Sequence, residues 1–175
     1  MLLTGAGLLL RSFWKLQQTS PGFQSEQILA AGASLNKKEY NPPRMIEFYA
    51  QELERLRHLP GVESVATISH LPFGGRTMQL NFKLEGQPAT TGKNLPLADY
   101  RVISPSLLET LHVPLKQGRA LTEQDTTEMP VVYLVNEAFA RTYSPHRSII
   151  GQRLLIGYEG QWPGEIVGII GDIKH

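Results

Sequence analysis

The chain has 175 residues, 41% hydrophobic and 19% charged, enough for one globular domain or two small subdomains with a real core. Its 17 basic and 16 acidic residues are interspersed and leave a net charge of +1, which excludes the concentrated basic field of a nucleic-acid surface. The lack of cysteine excludes thiolate zinc sites, a cysteine nucleophile and disulfides.

The first element is an apolar run that stops at Leu10 and is followed by Arg11, Trp14 and Lys15. That order matches snorkelling and interfacial anchors where a helix leaves lipid. The run is short of the roughly 20 apolar residues that span a bilayer. Residues 1–16 therefore read as the outer end of a transmembrane helix. The alternative is an amphipathic helix lying on the domain, with Leu2, Leu3, Leu9 and Leu10 in the core. Residues 17–27 are a polar linker carrying the turn signal Pro21-Gly22.

Residues 28–35 are short and apolar and predict a strand, weakened by alanines and Gly32. Asn41-Pro42 is a helix cap followed by proline at the first helical position. Met45, Ile46, Tyr49, Leu53 and Leu56 then share one helical face, so a helix over 41–59 is expected with Leu53 in the core. Pro60-Gly61 ends it, and the β-branched stretch 62–69 predicts a second strand. Strand, helix and strand make a βαβ unit, with the two strands parallel.

Pro72-Phe-Gly-Gly75 breaks this pattern. Met78, Leu80, Phe82 and Leu84 alternate with polar residues, as in a half-buried antiparallel strand. Residues 86–96 read as a hairpin loop and 97–103 as the returning strand. Ser104-Pro105 caps a short helix to Leu111, 112–119 reads as a connector, alternatively with a short strand in it, and Thr122 to Asp125 resembles a capping box. Residues 131–135 predict a buried strand, Asn136 caps a helix to Tyr143, and 152–156 and 165–173 are the last strands. The expected fold is α+β: residues 17–73 as a porter-like βαβ unit and 74–175 as a separate, largely antiparallel mixed subdomain.

No chemistry-bearing motif stands out. His58, His70, His112, His146 and His175 are never three or four residues apart, and no carboxylate cluster accompanies them at ligand spacing. Gly5-Ala-Gly7, Gly74-Gly75 and Gly168-Ile-Ile-Gly171 match neither a dinucleotide fingerprint nor a phosphate loop. For Gly168 and Gly171 a bulge or close packing is the plainer reading. No serine sits in a nucleophile elbow, and Trp162 reads as a turn or hairpin-packing residue. The expectation is no catalytic, cofactor-binding or metal-binding residue, hence no enzyme and no cofactor.

Several stretches together carry a resemblance. Leu8-Leu-Leu-Arg-Ser-Phe-Trp-Lys-Leu-Gln17 with Ser20-Pro-Gly-Phe23 resembles the junction after the first membrane helix of ABC-type permeases of the MacB/FtsX class. It is most similar to the acidobacterial duplicated orphan permeases. Leu56-Arg-His-Leu-Pro-Gly-Val-Glu63, Tyr100-Arg-Val-Ile-Ser-Pro105 and Leu111-His-Val-Pro-Leu-Lys-Gln-Gly-Arg119 resemble successive blocks of the MacB-like periplasmic core domain. So do Val135-Asn-Glu-Ala-Phe-Ala-Arg-Thr-Tyr143, Ile150-Gly-Gln-Arg153 and Glu165-Ile-Val-Gly-Ile-Ile-Gly-Asp-Ile-Lys-His175.

The resemblance implies an extracytoplasmic domain of an inner-membrane permease, on the periplasmic side, that takes part in transport or mechanotransmission without chemistry of its own. It implies as partners the rest of the permease, a separate ABC ATPase subunit or domain, a periplasmic adaptor or substrate, and a second copy in a dimeric transporter. In the family a C-terminal βαβ unit completes the porter-like part. Its absence here makes the chain read as a fragment whose first βαβ unit exposes an unpaired edge or an apolar face. The alternative function is an independent anchored or secreted binding or adaptor module.

Overall fold

Asn41 starts the first helix as its spacing predicts. Its Oδ1 accepts the Arg44 N–H at 3.1 Å, and α1 runs Pro42–Arg57 with Pro42 at its first position. His58 closes it, its N–H donating to the Arg55 carbonyl at 3.3 Å. Arg55 and Arg57 in the last turn complement the helix dipole and pair with Glu52 at 2.6 Å and Glu54 at 3.3 Å.

The computed structural model describes residues 11, 14, 22–24, 27–36, 41–75, 77–86, 95–126, 128–157 and 162–173. The expected membrane-helix end lies outside these residues except for Arg11 and Trp14, both helical and exposed. Among the described residues no helix is long and apolar enough to cross a membrane.

The remaining elements are β1 (Met78–Leu84), β2 (Leu97–Tyr100), α2 (Leu107–Thr110), β3 (Leu115–Gly118), β4 (Val131–Asn136), α3 (Glu137–Tyr143), β5 (Arg153–Ile156) and β6 (Trp162–Ile170). They build a six-stranded sheet in which β2, β1, β5 and β6 follow one another antiparallel. β4 runs parallel along one edge of β6. The other edge is divided between β5, at residues 162–165, and β3, at 168–170.

Both faces of β6 are covered, which is why it reads as the continuous run Ile166-Val-Gly-Ile-Ile170. Ile166 and Ile169 join Phe82, Leu84, Tyr133, Val135, Ile149, Leu154 and Ile156 in one core, closed by Phe139 and Tyr143 of α3. Ile170 faces the other way and packs on the α2 core of Leu107, Leu108, Leu111 and Val113. The Gly168 expectation holds. The β4–β6 register jumps from Tyr133↔Ile166 to Leu134↔Gly168, and a Cβ on Gly168 would overlap the Arg119 carbonyl oxygen.

The parallel βαβ pairing is corrected. Among the described residues neither 28–36 nor 62–67 forms a strand. Gly32 and three alanines give 28–36 little side chain to pack, and all of it but Leu35 is exposed. The 62–69 segment is held instead by 102–106. Ile68 bridges antiparallel to Ile103, Ser69 N–H donates to the Val102 carbonyl at 2.9 Å, and Ser104 N–H donates to Thr67 at 3.0 Å. Leu53 is likewise only half-buried, and no residue of α1 is buried.

Three smaller expectations shift. The returning strand stops at Tyr100, because beyond it the backbone pairs with 67–69. The last strands begin at Arg153 and Trp162, where the β5–β6 hairpin pairs Ile156 with Trp162. The capping-box residues start no helix: the Asp125 carboxylate accepts from Thr122 N–H at 2.8 Å and from the two terminal Nη groups of Arg119, each at 2.8 Å. The guanidinium fork outcompetes helix initiation and ties a turn.

Candidate functional site

The C-terminal end of α1, residues 63–65, the start of α2 and Thr122-Glu123 surround an open cleft of about 420 Å³. Its charged lining is Arg57, Glu63, Glu109 and Glu123. Arg57 sits 3.3 Å from Glu54 and 4.0 Å from Glu123, so it links α1 to the 122–125 turn.

Behind the cleft lies a ladder of hydroxyls. Ser104 Oγ accepts the Thr67 N–H at 2.9 Å and lies 3.2 Å from Ser106 Oγ. Ser106 Oγ donates to the Val65 carbonyl at 2.7 Å, so it does not cap α2. Ser64 Oγ and Thr110 Oγ1 are 2.6 Å apart, and Thr110 Oγ1 donates to the Ser106 carbonyl at 2.9 Å. Local reading expected Ser104-Pro105 to cap a helix. The structure uses these serines to fasten 62–69 to α2. The pairing of Ser64 with Thr110, 46 residues apart, has no sequence signal beyond the serine content itself.

Each hydroxyl of the ladder is bonded to backbone or to another hydroxyl, and no histidine lines the cleft. Such an arrangement can recognise a polar group but holds no nucleophile–base pair. The histidines stay apart. His58 Nδ1 lies 2.7 Å from the Glu54 carbonyl at the end of α1. His70 Nδ1 lies 3.1 Å from Ser69 Oγ, His112 takes a left-handed turn at φ 52°, and His146 is exposed. His175 lies outside the described residues. Among the described residues no group of three or more metal-ligating side chains forms.

The second feature is apolar surface without cover. Along α1 and the turn after it, Ile46, Leu56, Leu59 and Val62 are exposed, Ile46 at 53%. Ile28 and Leu29 in the 28–36 segment are exposed as well, Leu29 at 94%. An amphipathic helix with a solvent-facing apolar stripe marks a surface that another element covers.

A family model described as the MacB-like periplasmic core domain matches residues 13–175. The periplasmic region of MacB from Actinobacillus actinomycetemcomitans has a similar fold, with a TM-score of 0.54 at 17% identity over 71% of this chain and 51% of that one. The extracellular domain of the noncanonic ABC-type transporter YknZ from Gram-positive bacteria gives 0.50 at 13% identity over 70% and 56%. The chain thus spans about half the length of these structures. No curated protein matches it.

Proposed function

The chain belongs to the family of MacB-like periplasmic core domains, and from that premise we propose that it works as the extracytoplasmic core of an ABC-type permease. In this reading it sits on the periplasmic side of a bacterial inner membrane, is anchored through residues 1–16, and takes part in transport or mechanotransmission. A separate ABC ATPase subunit or domain supplies the energy, and the intact transporter is a dimer. The chain performs no reaction itself. The hydroxyls of the ladder are bonded to backbone or to one another, which supports a structural use for them.

The observation that carries the reading is the uncovered apolar stripe of α1, on a chain whose residues 13–175 match the family. We assign residues 17–73 to the first half of a porter-like unit and 74–175 to an inserted mixed subdomain. A further part of the permease covers the apolar face of α1. The intact permease, reconstituted in liposomes with its ATPase, tests this. Deleting residues 17–173 should abolish substrate-dependent ATPase stimulation while leaving the ATPase bound to the membrane helices. Unchanged stimulation would refute the role and favour an independent binding module.

A further inference from the structure

Residues 22–24 are held where the N-terminal linker meets the domain. Gly22 adopts φ +86°, and a Cβ there would overlap the Asp172 carbonyl oxygen, so the two backbones touch. Phe23 packs against the α2 core and stands 6.2 Å, centroid to centroid, from Phe73. Gln24 N–H donates to the Leu111 carbonyl at 3.1 Å, at the end of α2.

Asp172 extends this junction. It follows β6, and its carboxylate accepts the Ala138 N–H at 2.7 Å and an Arg141 guanidinium N–H at 2.7 Å. Those donors belong to α3, which closes the other core. One short stretch of linker therefore touches the α2 core through Phe23 and Gln24. It also touches the α3 side through the Asp172 backbone.

We infer that residues 22–24 form a clasp that makes the incoming chain move with the domain and delivers its displacement through Asp172 to α3. A loose tether would look different. A tether needs neither a glycine pressed on a carbonyl nor a half-buried, packed aromatic and a backbone hydrogen bond on consecutive residues. Use of the clasp in a permease rests on the function proposed above; the clasp itself does not.

Amide hydrogen exchange on the 175-residue chain tests it. The Gln24 amide should exchange at least about tenfold more slowly than an unstructured amide. Gly22→Val should abolish that protection and also speed exchange at Ala138 several-fold, because moving the Asp172 backbone moves its carboxylate. Phe23→Ala should likewise release Gln24. Gly61→Val is the control. Gly61 has the same left-handed backbone, φ +80°, with nothing within 4 Å of a Cβ, so strain alone is present there and neither amide should change. Amides of Leu84 and Ile166 report that each variant remains folded. An unprotected Gln24 amide in the unsubstituted chain would overturn the clasp. So would release of Gln24 in Gly22→Val with Ala138 unmoved. No transport is read, so failure here leaves the permease reading standing, and loss of that reading leaves the clasp.

Discussion

Tyr133 Oη donates to the Trp162 carbonyl at 2.9 Å, joining the middle of β4 to the first residue of β6. The ring lies against Gly164, where a Cβ would come within 2.6 Å of Cε2. Burial first, and the neighbouring Tyr100 second, push the Tyr133 phenol up to about 12. Tyr133→Phe should cost about 0.5–1.5 kcal/mol in urea unfolding at neutral pH. The folded phenol titrates above the ordinary value of 10.0. Its contribution is therefore complete below pH 10, and it disappears as pH rises through the folded value of about 12. The gap between native and Tyr133→Phe stabilities should close over that window. A gap that widens with pH would contradict the assignment.

Phe82 anchors an aromatic trio, 4.9 Å from both Phe139 and Tyr143 and only 3% exposed. Phe82→Ala removes a fully buried ring and two aromatic contacts. The expected loss is about 3–5 kcal/mol. A calorimetric melt would show a large fall in midpoint, and a near-neutral result would mean that α3 does not close this core.

Leu53 supplies the contrast. It is half-buried on a helix with no buried residue, so Leu53→Ala in this chain should cost only about 1 kcal/mol, roughly half of full burial. In the intact permease the same substitution should cost more, because the further part of the permease proposed above covers that face. Equal costs in both settings would remove the case for a covering element on α1.

Asp125 is held well below the usual carboxylate range, first by the Arg119 guanidinium, against some burial, and then by Thr122. A depressed folded value means that this carboxylate stabilises the fold above its ordinary 3.8 and stops doing so as pH falls below it. Asp125→Asn should lower stability at pH 7 and flatten the acid limb of the stability profile. Arg119 is about half exposed, so added salt should shrink the difference. An acid limb identical to that of the unsubstituted chain would sink the clamp's energetic role.

Local chemistry made some elements readable. Asn41-Pro42 announces α1 because the cap and the proline act within one turn of their own position. β1 is legible from the alternation Met78, Leu80, Phe82, Leu84, and β4 and α3 from an apolar run ending at the cap Asn136. The family itself was readable in the order of motifs along the chain. The strands proposed at 28–35 and 62–69 were not safe from the same evidence. A strand exists only by pairing, and apolar residues alone do not name a partner.

The candidate site was the least legible part. The absence of a catalytic motif was plain from residue types and spacing. The hydroxyl ladder was not, because Ser64 meets Thr110 and Ser106 meets Val65 only after the chain has folded back on itself. Asp125 shows the same limit in miniature. A carboxylate three residues after a threonine predicts a helix start, and a nearby Arg119 turns it into an ion-paired turn.

By itself, then, the sequence determined the composition class, the caps and periodicities of its strongest elements, and its family. Caps and periodicities depend on residues within a turn or two of one another, and composition and motif order are read along the chain without any long-range pairing. Only the tertiary structure decided that β6 takes partners on both edges and that 62–69 answers to 102–106. It also decided that α1 keeps an apolar stripe in solvent and that Gly22 rests on Asp172. Each of these is a choice among distant backbone and side-chain partners, governed by geometry and burial that no local window contains.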